Sequence, residues 1–430
     1  MKSLLAFTFL LISFSSVAQK HSIEDVAVLF SKHKYAKVYK CFDDNMKDNI
    51  SVEQLQELWE RMESGAGKYV GVEDVVIEQL DENLRQTAVI KFESAAVKLI
   101  MSESEDKEIN GLFVSQLGYE APPYAKDLVT GKKRINFLSH SYNISGELML
   151  PITCNNCPVV ILVHGSGPND KDETIGPNKV FKDLALGLAA NGIATFRYNK
   201  RSNLYPETIK GQFDIYDETI NDAISAYHTL SSDTSLRLGK TVMLGHSLGA
   251  YSMPLIADSL KEIDGAILFS SNARRLEDLI EYQMHYLTNW DDILTKEEVE
   301  IVELNTARAE DIRTNNYTDT TSAENLLAYW PGTFWKGIDT YNPVEQVKSN
   351  TTTPFFIMQG EKDYQITMVD FELWTEGVGK QNNVRLKSYP NLTHLFTPTE
   401  SDKPGPNDYF LPTNVDEEVV KDIAEWVKKL

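Results

Sequence analysis

Between about Ile23 and Leu117 the apolar positions change period. In EDVAVLFSKHKYAKVYKCF (24–42) they recur every three or four residues, as on one face of a helix. SVEQLQELWERM (51–62) does the same behind a Ser51 cap with Gln54 three residues on, and Gly65 and Gly67 are expected to stop it. GVEDVVIEQL, TAVIKFESAAVKLIMSE and INGLFVSQL then alternate or run apolar like strands of an antiparallel sheet. The pattern predicts a small α+β domain, and it gathers no cluster of catalytic groups. Proline at 122 and 123, beside Ala121, marks the expected linker.

Downstream, short apolar runs alternate with longer helical stretches: VVILVHG, VFKDLALGLAANG, IATFRYNKR, ETINDAISAYHTL, TVMLGHS, LGAYSMPLIADSL and GAILFSS. Such βα alternation implies an α/β domain with a mostly parallel sheet and helices on both faces. From about Asn272 to Val347 the strands stop and a helical, aromatic insertion takes over, expected as a lid over the sheet's C-terminal edge. Strand-like PFFIMQG and VRLKSYP follow, and EEVVKDIAEWVKKL closes the chain as a helix. The expected organisation is a leader over 1–18, the small domain over 19–120, and the α/β domain over 121–430 with its lid at about 272–347.

The leader reading rests on MKSLLAFTFLLISFSSVAQK, where one Lys precedes about ten apolar residues and the small residues Ser16, Val17 and Ala18 mark a cleavage site. The run is shorter than the roughly 20 residues of a membrane span, so an exported protein without a stable membrane anchor is expected, in the periplasm or secreted. Asp and Glu number 63 against 42 Lys and Arg, a formal charge of −21 that repels nucleic acid and anionic lipid, and neither is expected as a partner. Three cysteines, Cys41, Cys154 and Cys157, exclude a disulfide framework. The pair in PITCNNCPVV can close a local disulfide across a tight hairpin turn at Asn155 and Asn156. No finger-like Cys or His spacing accompanies it, so neither a metal nor another cofactor is expected.

The chemistry is carried by TVMLGHSLGA. It sets Gly245-His246-Ser247-Leu248-Gly249, a G-x-S-x-G pattern, after an apolar strand and before a helix, where glycines remove the Cβ atoms that would crowd a strained nucleophile. A serine needs a base, and the hydrolase order runs nucleophile, acid, histidine. After His246 the histidines are His285, inside the insertion, and His394, in NLTHLFTP behind a strand-like run. His394 is therefore the expected base. Asp363, just past PFFIMQG, is the expected acid, with Glu361 as runner-up and Asp370 read as a solvated helix face. For the oxyanion hole the Leu248 N–H supplies one donor and the HGSGPND loop the second, assigned to Ser166 with Gly165 as the alternate. His164 is expected to order that loop. Of the insertion's aromatics, Trp330, Phe334 and Trp335 are the candidates for substrate binding.

These motifs, HGSGPNDKDETIGPNKVFKDLALGLAANGIATFRYNKRS with GHSLG, GEKDYQIT and NLTHLF, resemble bacterial α/β-hydrolases of the serine aminopeptidase-like and dienelactone hydrolase-like group, and among them exported carboxylesterases with the same HGSGPND loop. The resemblance spans about Asp127 to Leu430 and implies the α/β-hydrolase fold, with Ser247 as nucleophile, Asp363 as acid and His394 as base. It departs at Lys171 and Asn199, where the group leads one to expect Arg and Asp. The N-terminal part resembles a small domain of unknown function that precedes such hydrolases. The implied activity is cleavage of small carboxylic esters through an acyl-enzyme. Aminopeptidase or acyltransferase action on the same triad is the alternative, and a noncatalytic binding protein on a hydrolase scaffold is the third reading.

Overall fold

The computed structural model describes residues 20–93, 95–290 and 293–430, so the leader read over 1–18 lies outside the described residues. The chain divides between Leu117 and Gly118 into two compact units.

The first unit runs α1 (Ile23–Ser31), α2 (Tyr35–Tyr39), α3 (Asp44–Asn49), α4 (Val52–Ala66) and then an antiparallel sheet in the order β1 (Tyr69–Leu80), β2 (Asn83–Phe92), β3 (Ala96–Glu103), β4 (Ile109–Gln116). The single helix expected over 24–42 is broken at His33, whose φ of 53° reverses the chain so that Phe30 and Tyr35 both reach the core. Ser51 and Gln54 form the expected capping box, but α4 runs through Gly65 and stops only before Gly67, at φ 78°. β2 alternates half-buried and buried positions, and its buried Ile90 and Phe92 pack with Phe30 and Trp59 of the helices.

In the second unit eight strands among the described residues form one sheet, ordered β14-β13-β12-β11-β7-β10-β6-β5. They are β5 (Thr130–Ser139), β6 (Tyr142–Pro151), β7 (Cys157–Val163), β10 (Ala194–Tyr198), β11 (Leu238–His246), β12 (Gly265–Phe269), β13 (Phe355–Gly360) and β14 (Val384–Tyr389). β8 (Thr174–Ile175) and β9 (Asn178–Lys179) make a separate two-residue ladder. Six neighbours from β14 to β10 run parallel, β6 pairs antiparallel with β10, and β5 pairs antiparallel with β6.

Side-chain alternation sends successive residues of each central strand to opposite faces. Ile161, Met243, Leu268 and Ile357 face α7 (Asn221–Ser232) and α8 (Leu248–Ser259), whereas Val160, Leu244, Ile267 and Phe356 face α5 (Val180–Ala190) and α14 (Glu417–Lys429). The short α6 (Arg201–Leu204) follows β10. The β5–β6 hairpin escaped the sequence pattern because its turn lacks Gly: His140 itself takes a φ of 52°.

The expected hairpin at Asn155 and Asn156 is not one. β6 and β7 are separated in the sheet by β10, so this connection crosses over β10 instead of pairing its flanks. Cys154 and Cys157 do form a disulfide there. The proline-bearing segment is likewise no free linker. The Tyr119 hydroxyl donates to Asp183 at 2.7 Å and the Tyr124 hydroxyl to the Val415 carbonyl at 2.8 Å, tying it to α5 and to the approach to α14.

Asp183 carries a pH signature. Burial pushes its carboxyl up to about 6, although the Tyr119 hydroxyl, the Val415 N–H and Asn414 hydrogen-bond to it and act in the opposite direction. A carboxyl whose folded pKa is raised favours the folded state most when protonated, so its contribution is full below about pH 4 and is lost as pH rises through about 6. A shift of about two units corresponds to ~3 kcal/mol. Across that window the thermal midpoint of the wild type is expected to fall relative to Asp183→Asn, and parallel melting curves for the two proteins would refute the assignment.

Between β12 and β13 lie α9 (Leu276–Thr288), α10 (Lys296–Arg313), α11 (Gly332–Ile338) and α12 (Pro343–Ser349), with α13 (Met368–Val378) following β13. The two feet of this insertion, Ala273–Arg275 and Tyr341–Pro343, line one cleft of about 320 Å³. One foot is fixed by Arg274 to Asp370 of α13 at 2.6 Å, the other by the Tyr341 hydroxyl to the Tyr251 carbonyl of α8 at 2.6 Å.

Candidate active site

Ser247 sits where β11 turns into α8, with φ 55° and ψ −118°, a conformation few non-glycine residues adopt. Its N–H donates to the Phe269 carbonyl at 3.0 Å, which anchors the turn to β12. A Cβ on Gly245 would overlap the Gly249 carbonyl, and one on Gly249 the carbonyls of Val163 and His164. Both glycines are therefore required by close backbone approach.

Asp363 follows β13 and is buried. Its Oδ1 accepts the N–H groups of Gln365 and Ile366 at 2.8 and 2.9 Å, and its Oδ2 accepts His394 Nδ1 at 2.7 Å and Gln359 Nε2 at 3.2 Å. A carboxylate facing Nδ1 keeps the proton on that nitrogen, which leaves Nε2 of His394 as a proton acceptor. His394 rides on the loop after β14, closed by the Thr393 N–H on the Thr397 carbonyl at 3.0 Å and by their paired hydroxyls at 2.8 Å. Ser247 and His394 line one cavity of about 130 Å³ together with Gly165, Ser166, Asn169, Glu173, Ile175, His246 and Gln365. Glu361 points elsewhere, accepting from the Ser388 hydroxyl at 2.7 Å.

Of the oxyanion candidates, no protein acceptor among the described residues takes the N–H of Leu248 or Ser166. Gly165 is corrected: its N–H donates to Glu173 Oε1 at 2.9 Å and is not available to a substrate. The aromatic candidates are corrected too. Phe334 and Trp335 of α11 are buried in the core, Trp330 packs at a tilt against Phe334 with ring centroids 4.3 Å apart, and none of the three lines the cavity. What the insertion brings to the rim is α9: Gln283 Nε2 donates to the Gln365 carbonyl at 3.0 Å, and Tyr286 stacks on Tyr364 at 5.4 Å. Asp370 is fully buried and ion-paired with Arg274, not the solvated residue expected of its helical context.

Sequence reasoning missed Glu173. It is buried and lines the same cavity as Ser247, with Oε2 3.0 Å from His246 Nδ1, while His246 Nε2 lies 3.0 Å from the His394 carbonyl. Both neighbours of the ring are acceptors, an arrangement that favours a proton on both nitrogens, the charged imidazolium. Burial disfavours that charge, but the Glu173 carboxylate outweighs it and holds the ring above its ordinary pKa; Glu173, penalised by the same burial, is held by the facing imidazolium well below the usual carboxylate range. His164 orders the loop as expected, its Nε2 bonded to the Tyr198 carbonyl at 2.6 Å. Among the described residues no group of His, Cys, Asp and Glu is arranged to hold a metal ion.

A parallel sheet wrapped by helices, with a serine on a strand-to-helix elbow and a carboxylate and a histidine on loops after later strands, defines an α/β-hydrolase. Residues 155–402 match the model described as serine aminopeptidase, S33, over more than half of the chain, and the protein belongs to that family. Residues 24–112 match a family described as a protein of unknown function. The chain is 29% identical to Esterase EstD of Thermotoga maritima over 421 residues, covering 95% of this chain and 96% of the relative. Among solved structures it is similar to Est1E from Butyrivibrio proteoclasticus, at a TM-score of 0.45 and 15% identity over 69% of this chain and 99% of that one. It is also similar to a hyperthermophilic esterase from Pyrobaculum calidifontis, at a TM-score of 0.46 and 15% identity over 71% and 88% of the two chains.

Proposed function

We propose that the protein is a serine esterase that cleaves small carboxylic esters through an acyl-enzyme. Ser247 Oγ attacks the ester carbonyl while His394 Nε2 takes its proton, and Asp363 holds the imidazole and offsets the charge that forms on it. The N–H groups of Leu248 and Ser166 receive the oxyanion. His394 then protonates the leaving alcohol, and water, deprotonated by the same ring, releases the acid. The name of the Thermotoga relative, Esterase EstD, supports the ester class.

The observation that carries the choice of ester over aminopeptidase is Glu173. Among the described residues it is the one carboxylate lining the cavity, and it is committed to His246 and to the Gly165 N–H. An aminopeptidase needs a carboxylate for the substrate's ammonium, and the described lining residues leave none for it. The 130 Å³ cavity and the sequestration of Phe334 and Trp335 in the core favour short acyl chains. Over a series of p-nitrophenyl esters, kcat/KM is expected to be highest from acetate to butyrate and at least about tenfold lower at decanoate, because each methylene the pocket cannot seat costs about one to three kcal/mol. Aminoacyl anilides are expected to be poor substrates. Faster cleavage of the anilides would overturn the ester assignment, and failure of a fluorophosphonate probe to label Ser247 would favour the noncatalytic reading. The apolar leader-like segment and the Cys154–Cys157 pair support placement in an oxidising compartment outside the cytosol.

A further inference from the structure

Lys200 is a buried cation with no place in the triad. It is 2% exposed, and its ammonium reaches the Gly165 carbonyl at 2.7 Å and Glu218 Oε1 at 2.6 Å. Glu218, itself 5% exposed on the one-turn π-helix Tyr216–Ile220, also accepts the Gly167 N–H at 3.2 Å. Asn169 Nδ2 adds weaker contacts to the carbonyls of Gly165 and Ser166 at 3.3 and 3.1 Å. Both peptide groups that flank the Ser166 Cα are thus held: Gly165–Ser166 through its carbonyl, and Ser166–Gly167 through its carbonyl and its N–H.

The first of these peptides matters most. Every peptide bond described is trans, so the Gly165 carbonyl and the Ser166 N–H, which belong to one plane, point in opposite directions. An ammonium fixed on the carbonyl turns the N–H away from Lys200, and that N–H belongs to a residue lining the cavity beside Ser247. The same ammonium draws electron density toward the carbonyl oxygen and leaves the N–H a stronger donor. Stability does not explain the arrangement. Burying an ion pair is a weak way to stabilise a fold relative to apolar packing, and Glu218 Oε2 is left without a partner among the described residues.

We propose that Lys200, braced by Glu218, is the positioning residue of the oxyanion hole: it sets the direction and the donor strength of the Ser166 N–H. The inference rests on the esterase reading above.

The test compares wild type, Lys200→Met and the double variant Lys200→Met/Glu218→Gln, which removes both buried charges and keeps the fold free of an unpaired carboxylate. For each, kcat and KM on p-nitrophenyl acetate are measured with the Ki of a trifluoromethyl ketone, whose adduct with Ser247 places an oxyanion in the hole. Far-UV circular dichroism and the thermal midpoint report the folded fraction. In folded variants kcat is expected to fall about 30- to 100-fold, less than the 10²- to 10³-fold typical of deleting a donor outright. KM should stay within about threefold, and Ki should rise in step with the loss of kcat. A purely structural role would instead reduce the folded fraction and leave the kcat and Ki of what remains unchanged. The proposal is overturned by a folded variant with kcat within threefold of wild type, by loss of kcat with an unchanged Ki, or by failure of both variants to fold. Ser247→Ala, assayed alongside, separates the two levels: if it retains turnover the esterase reading fails, whereas if it is inactive and Lys200→Met is normal, only the role of Lys200 fails.

Discussion

Replacing Ser247 with alanine is expected to lower ester turnover by about 10³- to 10⁶-fold, leaving only what the oxyanion donors and substrate binding supply without a covalent intermediate. The substitution removes one oxygen and keeps the Cβ, so the elbow, its bond to the Phe269 carbonyl and the glycine contacts around it are retained. The variant should therefore fold normally and bind substrate with near-normal affinity. Initial rates on p-nitrophenyl acetate, corrected for spontaneous hydrolysis, provide the measurement. A loss smaller than about tenfold would mean that another group is the nucleophile.

Asp363→Asn is expected to cost about 10³- to 10⁴-fold in kcat. Oδ1 receives two backbone N–H groups, so an asparagine keeps its carbonyl oxygen there and presents its NH₂ where Oδ2 stood, toward His394 Nδ1 and Gln359 Nε2. Facing a donor, Nδ1 of His394 becomes an acceptor and the ring proton moves to Nε2, the nitrogen that must take the serine proton. The chemistry is blocked by the wrong tautomer while the shape of the site is preserved. His394→Ala should cost about as much as Ser247→Ala, so the order of the three losses is itself diagnostic. Equal activity of Asp363→Asn and wild type on p-nitrophenyl acetate would remove Asp363 from the mechanism.

The groups proposed to react are legible in the sequence, and the groups that hold them are not. Ser247 is announced by two glycines between a buried strand and a helix, a local pattern with a steric cause. Asp363 and His394 follow because the strands that carry them, β13 and β14, read as strand-like runs and the fold orders the loops after them. Glu173, Lys200 and Glu218 give no comparable signal. Charged side chains are rarely buried, so each reads as a surface residue until the fold brings 165, 173, 200 and 218 together. Asp370 was misread for that reason, since the partner that makes its burial tolerable, Arg274, stands 96 positions away in the chain. The aromatics failed differently: Trp330, Phe334 and Trp335 share a short segment, but nothing local tells a ring facing a cavity from one facing a core. The break at His33 and the turn at His140 depend on single residues with positive φ, which no periodicity records.

The paired feet of the insertion leave and rejoin the α/β core at one place. The chain departs near Arg275 and returns near Tyr341 at the rim of a single cleft, each end anchored to a core helix, α13 or α8. Ser247 and the oxyanion donors are encoded before the departure point, and Asp363 and His394 after the return. All the residues proposed to react therefore lie outside 276–340, although Leu276, Leu279, Phe334 and Trp335 of that stretch pack into the same core as Met243 and Tyr251. On the reading proposed above, exposed positions of the insertion can change without touching the triad, whereas its core-facing side chains are bound by the same packing that holds the sheet.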